Sequence, residues 1–426
     1  MVLFADRALL PDGLASNVRI EIDADGAIGS VGAGAAPGDA EILRGTLLPG
    51  MTNAHSHAFQ RAMAGRAERG SPYGNDNFWS WREAMYALAN RLTPDQLFAI
   101  ARSTYAEMLA AGYTCVVEFH YLHRDPAARW YAERAAMAMA LIAAAKETGI
   151  AITLLPALYA HGDVGGAPLH DRQRRFATRV DDVLAIAGDL RVAYAGDPDV
   201  TIGACAHSLR AVTPQELAAL VAGSPKDVPI HLHIAEQERE VDAVRTVLGA
   251  RPVAWLLANA DVGARWTLVH ATHMIAEETV AVARSGATVA LAPTTEANLG
   301  DGIFPLRPYL DDGGAFGIGS DSNISIDVGE ELRWLEYAQR LVLRRRNVAA
   351  SLPGESSGEA LYRRAAHGGA HAAGRQSGAI DAGSRADLVF LEGTPENEDD
   401  VLDRFIFASQ PKRPTRTMVS GKWMTV

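Results

Sequence analysis

Two cysteines in 426 residues leave little material for a disulfide framework. Cys115 and Cys205 both stand in apolar, strand-like runs, so both are expected to be buried and reduced. Long hydrophobic runs are lacking as well. The longest, residues 135–145, falls well short of the about 20 residues that cross a bilayer. The opening Met-Val-Leu-Phe-Ala-Asp-Arg7 has no basic segment ahead of an apolar core, so no secretory leader is read there and a cytoplasmic location is expected. Positive charge is also in short supply. A net charge of −11 argues against a nucleic-acid partner, because neutralising a phosphate backbone needs a basic face. Arg340, Arg344, Arg345 and Arg346 close a helical pattern that begins at Glu330, where cations suit the negative end of the helix dipole; a solvated helix end is expected. An anionic substrate would therefore have to meet arginines placed locally.

The chain is long enough for one large domain and one small one. Residues 1–48 read as short strands and turns: Val18-Arg-Ile-Glu-Ile22 alternates, Asp25-Gly26 marks a hairpin, and residues 32–38 form a loop. The end of the chain has the same texture, which suggests that residues 1–48 and 377–426 form one small β-sandwich domain. Between them, apolar β-branched runs alternate with amphipathic helices. Strands are predicted at 45–49, 115–119, 151–158, 201–206, 230–234, 267–270, 288–292 and 316–319, with helices at 94–111, 130–148, 214–221, 238–248 and 276–284 among them. Thr213-Pro214-Gln-Glu216 is a helix start with a Thr N-cap and Pro at the first position. Eight strands separated by helices predict an α/β fold, a (β/α)8 TIM-like barrel over residues 49–376. A doubly wound open sheet is the alternative, but its glycine fingerprint is missing from the first strand–helix turn.

In such a barrel, functional side chains collect where strands end. The first strand region leads to His55-Ser-His57, two imidazoles one residue apart and on one face of an extended segment. The fifth ends with His233 and, three residues on, Glu236; the sixth ends at His270 and the eighth at Ser320-Asp321. Any one of these could be an ordinary strand-end polar group. Together, His55, His57, His233 and Asp321 make an N3O set suited to one divalent ion with a position left for water. His231 shares a face with His233 but lies deeper, so it is read as packing or support. His120, His123, His161 and His273 also lie near strand ends; a hydrogen-bonding or a substrate role is open to them, and an ordinary structural place is favoured for most.

Pro49-Gly-Met-Thr-Asn-Ala-His-Ser-His57, His233-Ile-Ala-Glu236, His270 and Ser320-Asp321 resemble the amidohydrolase superfamily, in its mononuclear deaminase branch. Within that branch, His55-Ser-His-Ala-Phe-Gln-Arg-Ala62, Phe78-Trp-Ser-Trp-Arg82, Glu118-Phe-His-Tyr121 and His207-Ser-Leu-Arg210 resemble the formimidoylglutamate deiminases of histidine degradation. Nearly the whole chain takes part, including the split domain at both ends. Binuclear relatives carry a lysine or glutamate near strand four; here Thr201-Ile-Gly-Ala-Cys-Ala-His207 has neither, which favours a single ion.

The resemblance implies hydrolytic deamination of N-formimidoyl-L-glutamate to N-formyl-L-glutamate and ammonia. Zinc is the expected ion, though iron and manganese also suit such a site. Asp321 and His270 would orient the attacking water, and Glu236 would carry its proton to the leaving nitrogen. The substrate is a small dicarboxylate, and Arg82 and Arg210 suit it because guanidinium grips carboxylate in bidentate fashion. Tyr121 and His207 would hydrogen-bond the glutamate portion and Gln60 would lie beside the reacting group. Trp79 and Trp81 are expected to wall the pocket. No membrane partner is expected, and a homodimer is. A deaminase or hydrolase of guanine, a triazine or a related ring is the rival reading, but flat neutral rings have no need of two arginines. A non-catalytic scaffold is disfavoured, because the full ligand set is present.

Overall fold

The computed structural model describes residues 1–70, 74, 76–393, 400–408 and 414–425. Eight parallel strands follow one another in chain order: Met51–Ser56, Tyr113–His120, Ala151–Leu158, Ala204–Ser208, Ile230–Ile234, Trp266–His270, Thr288–Leu291 and Ala315–Ile318. A short strand, Val200–Ile202, pairs beside the third. The eighth strand returns to the first through a parallel bridge between Ser56 and Asp321. There Asp321 N donates to the His55 carbonyl at 2.9 Å, and His57 N to the Asp321 carbonyl at 2.9 Å. Gly319 makes this closure possible: a Cβ on it would stand 2.5 Å from the His55 carbonyl oxygen. The barrel is thus stitched shut at the histidine pair itself.

The other end of the barrel is plugged. Helix Ser357–Ala373 runs under the first, seventh and eighth strands, and its last turn enters the interior, where Ala372 packs with Ala54, Val269 and Ala290. Thr153 Oγ1 donates to the Ala373 carbonyl at 2.8 Å, and His231 Nε2 to the Ala372 carbonyl at 2.8 Å. His231 therefore has a structural partner well below the site. With one mouth filled, the strand C-termini are the open face.

The chain ends form a separate seven-stranded sheet in the order Lys422–Trp423, Arg416–Val419, Leu388–Glu392, Glu41–Pro49, Val2–Leu10, Gly13–Ile22, Ile28–Gly32. Alternation in Val18, Ile20 and Ile22 buries one face in its core, as the pattern predicts. One strand assignment is corrected. Residues 45–49, expected as the first barrel strand, belong to this outer sheet, paired with Leu388–Glu392. The first barrel strand is Met51–Ser56 instead. Gly50 is the crossing point, its N–H bonded to the Asp387 carbonyl at 2.8 Å while Met51 N already reaches Gly112 O at 3.1 Å. Residues 46–60 are buried without interruption, so hydropathy carries no mark of the change of sheet.

The helix start at Thr213 is as read, with Thr213 Oγ1 accepting from Glu216 N at 3.3 Å. The helix predicted over 130–148 begins only at Ala136, and Trp130 instead stacks under the Arg124 guanidinium at 4.3 Å. Arg344, Arg345 and Arg346 are exposed at the end of helix Val328–Leu343. Cys115 and Cys205 are buried and free. Among the described residues, no helix is long and apolar enough to cross a membrane.

Candidate functional site

His55 and His57 leave the first strand on one face, and His233 comes from the fifth. Their rings converge: the Nε2 atoms of His55 and His233 lie 3.0 Å apart. Asp321 Oδ1 sits 3.5 Å from Nε2 of both His55 and His57. All four side chains are buried. The backbone sets their tautomers, since Nδ1–H of His57 donates to Phe119 O at 2.8 Å and Nδ1–H of His233 to His207 O at 2.9 Å. That leaves the Nε2 lone pairs of His57 and His233 directed at a common point beside His55 Nε2, an arrangement suited to a cation. Burial keeps these imidazoles neutral, pulling His55 down to about 3 and His57 and His233 below the usual range. Burial opposes the Asp321 charge, but contact with His55 and the neighbouring imidazoles holds its carboxyl below the ordinary range. Donor set, convergence and protonation state therefore all fit a divalent metal.

His270 stands beside this cluster, with Nε2 at 3.8 Å from both Asp321 Oδ2 and Glu236 Oε1. Burial works against its charge, yet the Glu296 contact and the carboxylates of Glu236 and Asp321 lift it to about 10. Ala235, His270 and Asp321 all adopt left-handed backbone conformations, with φ of 50°, 67° and 44°. Such strain in non-glycine residues gathers where side chains must be aimed at one point. A buried clasp secures the arrangement: Asn53 Nδ2 donates to Ser320 Oγ at 2.6 Å, and Asn323 Nδ2 to His57 O at 3.1 Å.

One pocket opens onto the cluster, lined among others by Gln60, Arg82, Tyr121, His207, Arg210, Glu236, His270 and Asp321. Every substrate-contact residue read from the sequence thus shares one cavity, and His55 lies just beneath it. Gln60 Nε2 donates to Tyr121 Oη at 2.9 Å. His207 Nδ1 lies 3.1 Å from Ser208 Oγ. Arg210 is buried, with Nη2 donating to Glu236 Oε2 at 3.1 Å. The Arg82 guanidinium lies over Trp79 at 4.5 Å and Tyr86 at 5.5 Å. Trp81 lines the pocket as expected, whereas Trp79 backs the arginines, also lying 4.4 Å under Arg239.

Sequence reasoning missed the carboxylates around this site. Glu296 accepts from His270 Nδ1 at 3.2 Å, Glu240 accepts from Glu236 N at 3.3 Å, and Asp301 bonds Gln237. The only available signal was Glu296 lying just past the seventh strand. Of the other histidines, His123 reaches Ala157 O at 3.1 Å and His161 reaches Glu216 Oε2 at 2.9 Å, while His120 packs edge-on against His123 at 4.9 Å and its buried Nε2 has no hydrogen-bond partner among the described residues.

Two buried histidines outside the cluster make stability depend on pH. Burial holds His123 and His231 down to about 4, while an unfolded imidazole takes a proton below about pH 6.5. The unfolded chain then binds protons that the folded one refuses, so stability is full above about pH 6.5 and falls toward pH 4. Each imidazole contributes up to about 1.4 kcal/mol per pH unit. Burial raises Glu118 to about 8, which works in the opposite sense, so the check is a comparison: the change in urea midpoint between about pH 7.5 and about pH 5 should differ between the parent and His123→Gln, and an identical change would contradict the assignment.

Residues 46–424 match the model of the amidohydrolase family, and residues 1–44 match that described as "Formimidoylglutamate deiminase HutF, N-terminal domain". The chain is 48% identical to the formimidoylglutamate deiminase of Pseudomonas aeruginosa, over 99% of this chain and 94% of that one. It is 27% identical to an 8-oxoguanine deaminase of the same organism, over 91% and 83% of the two chains. The crystal structure of an amidohydrolase from Brucella melitensis superposes with a TM-score of 0.94 at 46% identity, covering 99% and 94%.

Proposed function

The chain belongs to the amidohydrolase family, and from that premise we propose that it hydrolyses N-formimidoyl-L-glutamate to N-formyl-L-glutamate and ammonia. One observation carries the reading: a single pocket joins a hydrolytic cluster of imidazoles and carboxylates to two guanidiniums, the complement of an amidine bearing two carboxylates. The high identity to a formimidoylglutamate deiminase over almost the full chain supports it.

His55, His57, His233 and Asp321 would hold one divalent ion, zinc by the character of the donor set. When bound, such an ion makes water a competent nucleophile near neutral pH. His270 and Asp321 orient that water toward the amidine carbon. Glu236 carries one proton of the water to the terminal nitrogen as the C–O bond forms; the second, given up by the adduct's hydroxyl with Asp321 as its acceptor, reaches the same nitrogen as the C–N bond breaks, so that ammonia leaves and a formamide remains. Tyr121 and His207 hydrogen-bond the glutamate portion, Gln60 lies beside the reacting group, and Arg82 and Arg210 take the carboxylates.

Ammonia release from formimidoylglutamate, guanine and adenosine by the purified, metal-loaded protein tests the reading. Activity confined to the first is expected; turnover of a purine instead would overturn it. Arg82→Ala should raise KM about 10- to 100-fold, the effect of losing a charged hydrogen bond, with kcat nearly held. An unchanged KM would remove Arg82 from substrate binding. The homodimer expectation is supported by Trp334, Leu341 and Val342, exposed on helix Val328–Leu343, and a one-chain mass in sedimentation would refute it.

A further inference from the structure

The Arg210–Glu236 ion pair, we propose, is a substrate-operated latch: a carboxylate arriving at Arg210 releases Glu236 to act on the amidine, so charge recognition sets turnover as well as affinity. The latch rests on the function proposed above and says how that site selects acidic substrates.

Arg210 is one buried cation facing two buried carboxylates, Glu236 Oε2 at 3.1 Å and Glu240 Oε2 at 4.0 Å. A third carboxylate gathered around that single charge would be poorly compensated, so one of the first two must give way. Glu240 is anchored: it sits on helix Glu238–Leu248 and its Oε2 accepts the Glu236 backbone N–H. Glu236 lines the pocket and has somewhere to go, since its other oxygen already lies 3.8 Å from His270 Nε2. It therefore spans the recognition end and the hydrolytic end of the cavity. While paired with Arg210, one of its two carboxylate oxygens is taken up by the guanidinium.

Arg82 behaves differently. Among the described residues, no ion pair engages its guanidinium, and its buried Nε has no hydrogen-bond partner. Held flat on Trp79 and Tyr86, it offers an uncompensated charge that takes a carboxylate without displacing anything. Arg82 thus serves affinity, and Arg210 couples binding to chemistry.

The substrate can be divided at its N–Cα bond into formamidine and glutarate, which separates the two roles. With metal-loaded protein, glutarate should raise kcat for formamidine about 10- to 100-fold, the factor that one charged hydrogen bond represents. The rise should vanish in Arg210→Gln. By calorimetry, Glu236→Gln should bind glutarate more tightly by a similar factor, because Arg210 then faces a neutral amide in place of a competing carboxylate. Glutarate that fails to bind, binds without raising the rate, or activates Arg210→Gln equally overturns the latch. So does a Glu236→Gln protein that binds glutarate no more tightly. If intact formimidoylglutamate is deaminated normally in those cases, only the latch falls; if it is not deaminated at all, the proposed function falls.

Discussion

Glu236→Gln is expected to lower kcat for formimidoylglutamate by about 10²- to 10⁴-fold, with the fold and the bound metal unchanged. Gln is the same size and its amide oxygen can still accept from Arg210 Nη2, so the packing around this buried position is preserved. What it loses is the capacity to take a proton from water and hand it to the leaving nitrogen. Glu236 is not among the converging ligand atoms, so metal content should stay as in the parent protein. Steady-state ammonia release together with elemental analysis checks both halves. A variant that turns over within a few-fold of the parent would take Glu236 out of the proton path. One that loses its metal would make it part of the ion's support.

Removing the divalent ion should have the larger effect: no measurable ammonia release after exhaustive chelation, and recovery on adding back about one equivalent. Three neutral imidazoles gather their ring nitrogens at this point, with Nε2 of His55 and His233 3.0 Å apart, a donor set that a divalent ion would hold together. The metal-free protein should also melt at a lower temperature, because an ion that binds only the folded state adds about 4 kcal/mol at a thousand times its Kd. His57→Ala should mimic chelation, and added metal should rescue it poorly. A chelated sample, free of transition metals by elemental analysis yet fully active, would refute the assignment.

The convergence of these side chains was legible because each lies at or just past a strand end, and parallel strands in a barrel bring all their ends to one face. His55, His57, His233, His270 and Asp321 needed only that rule and the alternation of side chains along a strand. The pocket arginines and Tyr121 were legible by likeness to a family, since nothing in the spacing of Arg82, on helix Phe78–Ala89, points to the barrel mouth. The first strand was misplaced for a different reason. Residues 45–49 and Met51–Ser56 are equally apolar, and only pairing with Leu388–Glu392, far along the chain, decides that they belong to different sheets.

The chemical repertoire was determined by the chain itself: imidazoles and a carboxylate for a cation, a glutamate for a proton, arginines for a dianion, and a strand–helix alternation that forms a barrel. Those are properties of residue types and of local period. Only the tertiary structure decided that Glu296 braces His270, that Glu240 buttresses the turn at Glu236, and that Arg210 is already paired while Arg82 is not. Charge compensation depends on distance and burial, and both come from contacts between segments that sequence keeps apart.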